Sequence, residues 1–195
     1  MIELEVVGVT ARPKSDDQKQ RLREQAQAFA DQPGPPMSDE QKQHLRDETQ
    51  ALADQHAEQP EPWVRLRERP GDRVLEFGIG PAEAAAIAMA LQGVRQPRPM
   101  THDFIGNLLW ALDDVSVLRV IITKREFPTE LARQLADGEA VLLGGTETFY
   151  AELELRHRGR VITVDCRPSD GIAVALRLGV PIVAADELEP ALAKA

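Results

Sequence analysis

Six side chains in this sequence have the chemistry to act on a phosphate ester: Glu83, His102, Asp103, Asp165, Arg167 and Asp170. Phosphodiester hydrolysis needs a water made nucleophilic, charge neutralised at phosphorus and help for the departing oxygen. Carboxylate oxygens suit Mg2+ or Mn2+, which can supply all three, so Glu83, Asp103, Asp165 and Asp170 form the candidate metal set. His102 suits a general base or a ligand, imidazole being the side chain best matched to proton transfer at physiological pH. Arg167 offers a planar fork for a phosphate. Arg95 and Arg98, on the loop just before His102, complete a phosphate-binding set. The candidate catalytic residues are therefore His102, Asp103, Asp165, Arg167 and Asp170.

A plainer reading stands beside this one. Every acid in the set except Asp165 falls in the first turn of a predicted helix. With Pro81 and Pro168 as first helical positions, Glu83 and Asp170 are both third, and Asp103 is second after a Thr101 cap. Acids there stabilise a helix N-terminus by about 0.3–1 kcal/mol without any catalysis. Asp165 ends a strand and can pair with Arg167. Helix N-termini also hold anions, so the same residues suit a phosphate that is bound but not cut.

The elements that must position these residues follow from the pattern. Ile2, Leu4 and Val6 alternate with Glu3 and Glu5, which predicts a strand with one wet face. Strands are expected at 64–67 and 74–77 around the turn Pro70-Gly71-Asp72, at 116–123, and as a hairpin over 148–156 and 160–166 around His157-Arg158-Gly159. Helices are expected at 81–92, stopped by Gly93, at 101–112, at 128–136, at 168–178, stopped by Gly179, and after Asp186. A short strand is expected at 182–184. Locally paired strands mixed with helices give an α+β fold with a mixed, mostly antiparallel sheet.

Between 12 and 61 the composition turns polar and repeats itself. Ser15-Asp16-Asp17-Gln18-Lys19-Gln20-Arg21-Leu22-Arg23 returns as Ser38-Asp39-Glu40-Gln41-Lys42-Gln43-His44-Leu45-Arg46, a period of 23 residues. Each copy opens on a capping serine and acids, and carries a narrow apolar stripe. Pro33-Gly34-Pro35-Pro36 separates them. The segment reads as an inserted helical hairpin, either solvated or a partner-binding arm. The domain proper is expected at 1–11 and 62–190, with a tail at 191–195.

The totals restrict function further. The net charge of −9 does not advertise a general nucleic-acid binder, so a nuclease here must rely on local arginines or cations. One cysteine, Cys166, permits no intrachain disulfide and points to a reducing, cytoplasmic setting. No signal peptide and no membrane span are expected. There is no Gly-rich phosphate loop, zinc spacing or nucleophile elbow. Cys166 reads as a small buried hydrophobe. His44, His56 and His157 read as solvated, and Trp63 and Trp110 as core or interface residues rather than base-stacking platforms.

Four segments, in this order, carry a resemblance: Gly80-Pro81-Ala82-Glu83-Ala84-Ala85-Ala86-Ile87-Ala88, Pro97-Arg98-Pro99-Met100-Thr101-His102-Asp103, Thr148-Phe149-Tyr150-Ala151-Glu152-Leu153, and Val164-Asp165-Cys166-Arg167-Pro168-Ser169-Asp170-Gly171-Ile172-Ala173. Together they resemble the bifunctional nuclease family over about two thirds of the chain. The resemblance implies an α+β domain that self-associates, here as a homo-oligomer, most simply a dimer, and that cleaves RNA and DNA with low sequence specificity. Three departures stand out: the hairpin at 12–61, an extra stretch over about 124–145, and Cys166 and Gly171 where the family usually has alanine. The insertions and the acidic charge favour the alternative, a non-catalytic binding or regulatory module with a protein or nucleic-acid partner.

Overall fold

A computed structural model of the protein describes residues 1–32, 37–126 and 147–194. They fall into two compact units: the described residues of 1–10, 62–126 and 145–195 in the first, and those of 11–61 in the second.

The first unit is α+β. Its strands are β1 (Ile2–Arg12), β2 (Glu61–Arg69), β3 (Arg73–Gly78), β4 (Val115–Glu126), β5 (Glu147–His157), β6 (Arg160–Cys166), β7 (Ile182–Ala184) and β8 (Ala193–Lys194). Among the described residues they form one eight-stranded sheet in the order β6-β5-β4-β7-β1-β2-β3-β8. The hairpins β2–β3 and β5–β6 are antiparallel, as their short turns require, and β4 with β7 is a parallel pair inside the sheet. That parallel pair needs a long crossover, and α5 (Pro168–Leu178) lies within it. Alternation fixes which face is buried: Leu4, Val6, Val64, Leu66, Val120 and Ile122 enter the core, where Ile172, Ala173 and Ala175 of α5 meet them. The helices α3 (Pro81–Leu91) and α4 (Thr101–Ala111) both pack against α5.

Several expectations need correction here. The cap of α4 is Met100, not Thr101, so Asp103 occupies the third helical position and its carboxylate accepts from the Met100 N–H at 3.0 Å. The element after Asp186 is a short 3-10 helix, Asp186–Ala191, with Pro190 inside it. The expected helix at 128–136 lies outside the described residues. Trp110 is not a core residue: it is 88% exposed. Val120 is wholly buried, and Val117 and Leu109 pack against the core. Among the described residues, no helix is long and apolar enough to cross a membrane.

The second unit holds α1 (Asp16–Ala30) and α2 (Asp39–Glu58), packed against each other. Ser15 and Ser38 each accept from the N–H three residues on, while Gln18 and Gln41 reach back to the cap N–H, so each copy of the repeat closes a capping box. Ion pairs Arg23–Asp54 and Lys19–Glu58 join the helices across exposed surfaces. No residue of α1 is buried, and in α2 only Ala53 and Ala57 are. The unit is inserted between β1 and β2, which are neighbours in the sheet. Replacing residues 13–60 by a short Gly-Ser link should therefore leave a soluble, cooperatively folding remainder with a Tm within roughly 4 °C of the full chain. Calorimetry of that deletion checks this; an aggregated product would show that Leu22, Phe29, Leu45 and Leu52 belong to the main core.

Candidate functional site

Three helix starts deliver the candidate residues. Gly80 is the N-cap of α3 and Pro81 its first residue, which places Glu83 one turn in. Met100 begins α4 and brings His102 and Asp103 into its first turn. Arg167 is the N-cap of α5, Pro168 sets the helical φ, and Asp170 follows at the third position. The far end of α5 stops at Gly179, whose φ of 67° lies in the left-handed region open to glycine.

These starts bring four of the expected residues into one cluster. Arg167 donates through Nε to Asp170 Oδ2 at 2.7 Å and through Nη2 to Asp170 Oδ1 at 3.2 Å. The same Nη2 lies 2.7 Å from Glu83 Oε1. Asp170 Oδ1 is also 3.1 Å from His102 Nε2. Since an ionised carboxylate only accepts, Nε2 carries the proton in this bond and Nδ1 is left over. His102 is 7% exposed, and its buried Nδ1 has no hydrogen-bond partner among the described residues. Burial of Asp170 favours its neutral form, but the hydrogen bonds from Arg167 and His102 outweigh this and hold the carboxyl below its usual range. The cluster is thus two carboxylates, a histidine fixed by one of them, and an arginine that pairs with both and whose side chain remains 67% exposed. Chemically it can grip a phosphate with Arg167 and pass a proton through the His102–Asp170 pair.

The remaining expected residues go elsewhere. Asp103 turns away from the cluster to Arg177, whose Nε donates to Asp103 Oδ1 at 2.6 Å. Asp165 is exposed on β6, opposite Glu152 of β5. Arg95 lines a cleft of about 710 Å3 shared with His102 and Asp103; Arg98, on the same loop, is exposed and outside that lining. Arg177 was not among the candidates. Its one sequence signal is a spacing of seven residues after Asp170 on the same helix, which puts both on one face.

The expected cation set does not fit this arrangement. Glu83 and Asp170 share a guanidinium, Asp103 faces a second one, and among the described residues no three His, Cys, Asp or Glu side chains stand together as ligands.

Cys166 and Gly171, the two departures from alanine, are neighbours. A Cβ built on Gly171 would lie 2.9 Å from Val120 Cγ1 and 3.2 Å from Cys166 Sγ. The larger residue at 166 and the smaller at 171 thus share one space behind Asp170. Cys166 is half-buried, and burial, then the charges of Asp170 and Asp165, push its thiol up to about 11, so it is a packing group rather than a nucleophile. Gly171→Ala alone should cost about 1–3 kcal/mol by overpacking. Adding Cys166→Ala should recover part of that loss. Denaturant midpoints of the two singles and the double check the coupling; strictly additive effects would refute it.

Comparison with known proteins completes the picture. A family model described as the bifunctional nuclease domain matches residues 64–137 and 140–192. Two uncharacterized proteins from two strains of Mycobacterium tuberculosis are each 43% identical over 129 residues, covering 65% of this chain and 64% of theirs. The chain therefore spans just under two thirds of the length of these curated relatives.

Proposed function

The chain belongs to the bifunctional nuclease domain family, and on that premise we propose that it hydrolyses phosphodiester bonds of RNA and DNA with low sequence specificity. The observation that carries the reading is the convergence of Arg167, Asp170, His102 and Glu83 from three helix starts. Arg167 grips the phosphate, and its pairing with Asp170 and Glu83 pre-orients the guanidinium fork. His102, with Asp170 fixing its Nε2 proton, is the proton-transfer group. The test is cleavage of labelled single-stranded RNA and DNA by purified protein, with Mg2+, with Mn2+ and with chelator. Cleavage lost in both Arg167→Ala and Asp170→Asn supports the assignment, and cleavage that survives both removes it. The chelator arm decides whether Mg2+ or Mn2+ takes part. The dimer expected from the sequence is part of the same proposal, and a single species at 21.6 kDa over a wide concentration range in light scattering would remove it.

A second reading draws on the arginine pairing. With Glu83, Asp103 and Asp170 all engaged by guanidinium groups, the chain would bind a nucleic acid or a protein, the latter through 12–61, without turnover. Tight strand binding with no cleavage under any metal condition favours it.

A further inference from the structure

The cleft beside His102 has features that the cluster itself does not use. Its volume of about 710 Å3 falls within the roughly 300–1,000 Å3 usual for sites of small organic ligands. One wall is a single stripe of α4: Asp103, Gly106, Asn107 and Trp110, at helical spacing, with His102 beside them. Gly106 is buried, and a Cβ there would lie 3.3 Å from Leu178 Cδ2, so this glycine lets α4 lie close against α5 below the stripe.

Three observations fix the occupant. First, the indole of Trp110 is 88% exposed and makes no ring contact among the described residues, which leaves a wide flat surface at the cleft wall. Second, the lining reverses the sign of the protein as a whole. It holds Arg95 and Arg177 against one carboxylate, Asp103, in a chain of net charge −9. Arg177 and Asp103 neutralise each other, so Arg95, with no ion pair among the described residues, is the cleft's uncompensated cation. Third, Asn107 is exposed and offers an amide donor and acceptor between these two groups along the cleft. A flat ring face, a donor–acceptor edge and a lone cation match a nucleobase with its phosphate.

We propose that this cleft is a base subsite: one unpaired base of a single strand stacks on Trp110, its phosphate meets Arg95, and the neighbouring phosphodiester is led past His102 to Arg167. The proposal takes from the nuclease reading only the class of ligand. Stacking requires an exposed π-face, which a base inside a duplex does not present, so the subsite selects single strands or ends over intact duplex.

The experiment measures binding apart from cutting. Fluorescence anisotropy of labelled oligo(dT) and of a blunt duplex is recorded on Asp170→Asn protein, alone and combined with Trp110→Ala or Trp110→Phe. Trp110→Ala should weaken single-strand binding on the order of ten- to a hundredfold, with Trp110→Phe retaining most of it, and the preference for single strand over duplex should collapse in the alanine variant. Unchanged affinity in Trp110→Ala overturns the proposal. So does a wild-type dimer that Trp110→Ala makes monomeric in light scattering while strand binding is unaffected, because the indole then belongs to a second copy. Cleavage without any Trp110 effect removes the subsite and keeps the nuclease; a Trp110 effect without cleavage does the reverse.

Discussion

Replacing His102 by alanine should lower the rate of strand cleavage by about a hundred- to ten-thousandfold, the usual contribution of a positioned proton-transfer group. The expectation follows from geometry. His102 is buried in the first turn of α4, its Nε2 is held by Asp170 Oδ1 at 3.1 Å, and its Nδ1 has no hydrogen-bond partner among the described residues. Asp170→Asn should fall by a similar factor, because it removes the charge that fixes the histidine, and the double variant should be scarcely worse than either single, as members of one unit are not additive. Single-turnover rates on a short labelled strand measure this, and KM should change little. Should alanine unfold the protein, His102→Gln keeps the volume and still removes the base. Retention of more than about half the wild-type rate by His102→Gln and Asp170→Asn, both folded, would make the cluster structural.

Local chemistry was legible in the sequence, and pairings across the fold were not. Ser15 and Ser38 announced α1 and α2, because a capping serine with glutamine three residues on is a complete instruction within one turn. Pro168 and Gly179 bounded α5 in the same way. The start of α4 was misread because Thr101 has the better capping side chain, while the cap is supplied from Asp103, two residues further on. Of the two places expected for Trp110, core or interface, the core is excluded, because its helical position points it outward. All residues of β6 from Arg160 to Asp165 are exposed, although the strand alternates, because it is the edge of the sheet. Glu83, His102, Arg167 and Asp170 were identified by type. That Asp103 would leave them for Arg177 was invisible, since the two residues are 74 apart and no periodicity links them.

That pairing leads to the largest expected change in stability. Arg177 is 11% exposed at its side chain and ties three helices together: Nε donates to Asp103 of α4, and Nη1 to the carbonyls of Ala86 in α3 at 3.2 Å and Ala173 in α5 at 3.0 Å. Arg177→Met keeps most of the volume and removes every donor. Breaking a buried pair from one side usually costs about 3–5 kcal/mol, because the remaining charge is stranded. Asp103 keeps 31% exposure, so the lower end applies, about 3 kcal/mol, or a fall of roughly 6–12 °C in Tm for a chain of this size. The pH dependence carries the signature. Burial acts to raise the Asp103 carboxyl, and in the wild type Arg177 and the Met100 N–H overcome this and hold it low, so its contribution is present above the ordinary carboxylate value and is lost as pH falls through the depressed one. In Arg177→Met burial acts with less opposition and the carboxyl shifts upward, so the variant's deficit should shrink as pH falls from about 7 toward about 4. Adding Asp103→Asn, which keeps an acceptor for Met100, should recover part of the loss at neutral pH and flatten that dependence. Urea midpoints across this range decide it: a deficit under about 1 kcal/mol, or one that does not vary with pH, would mean that the arginine fills space rather than locking the start of α4, and His102 would then need another explanation for its fixed position.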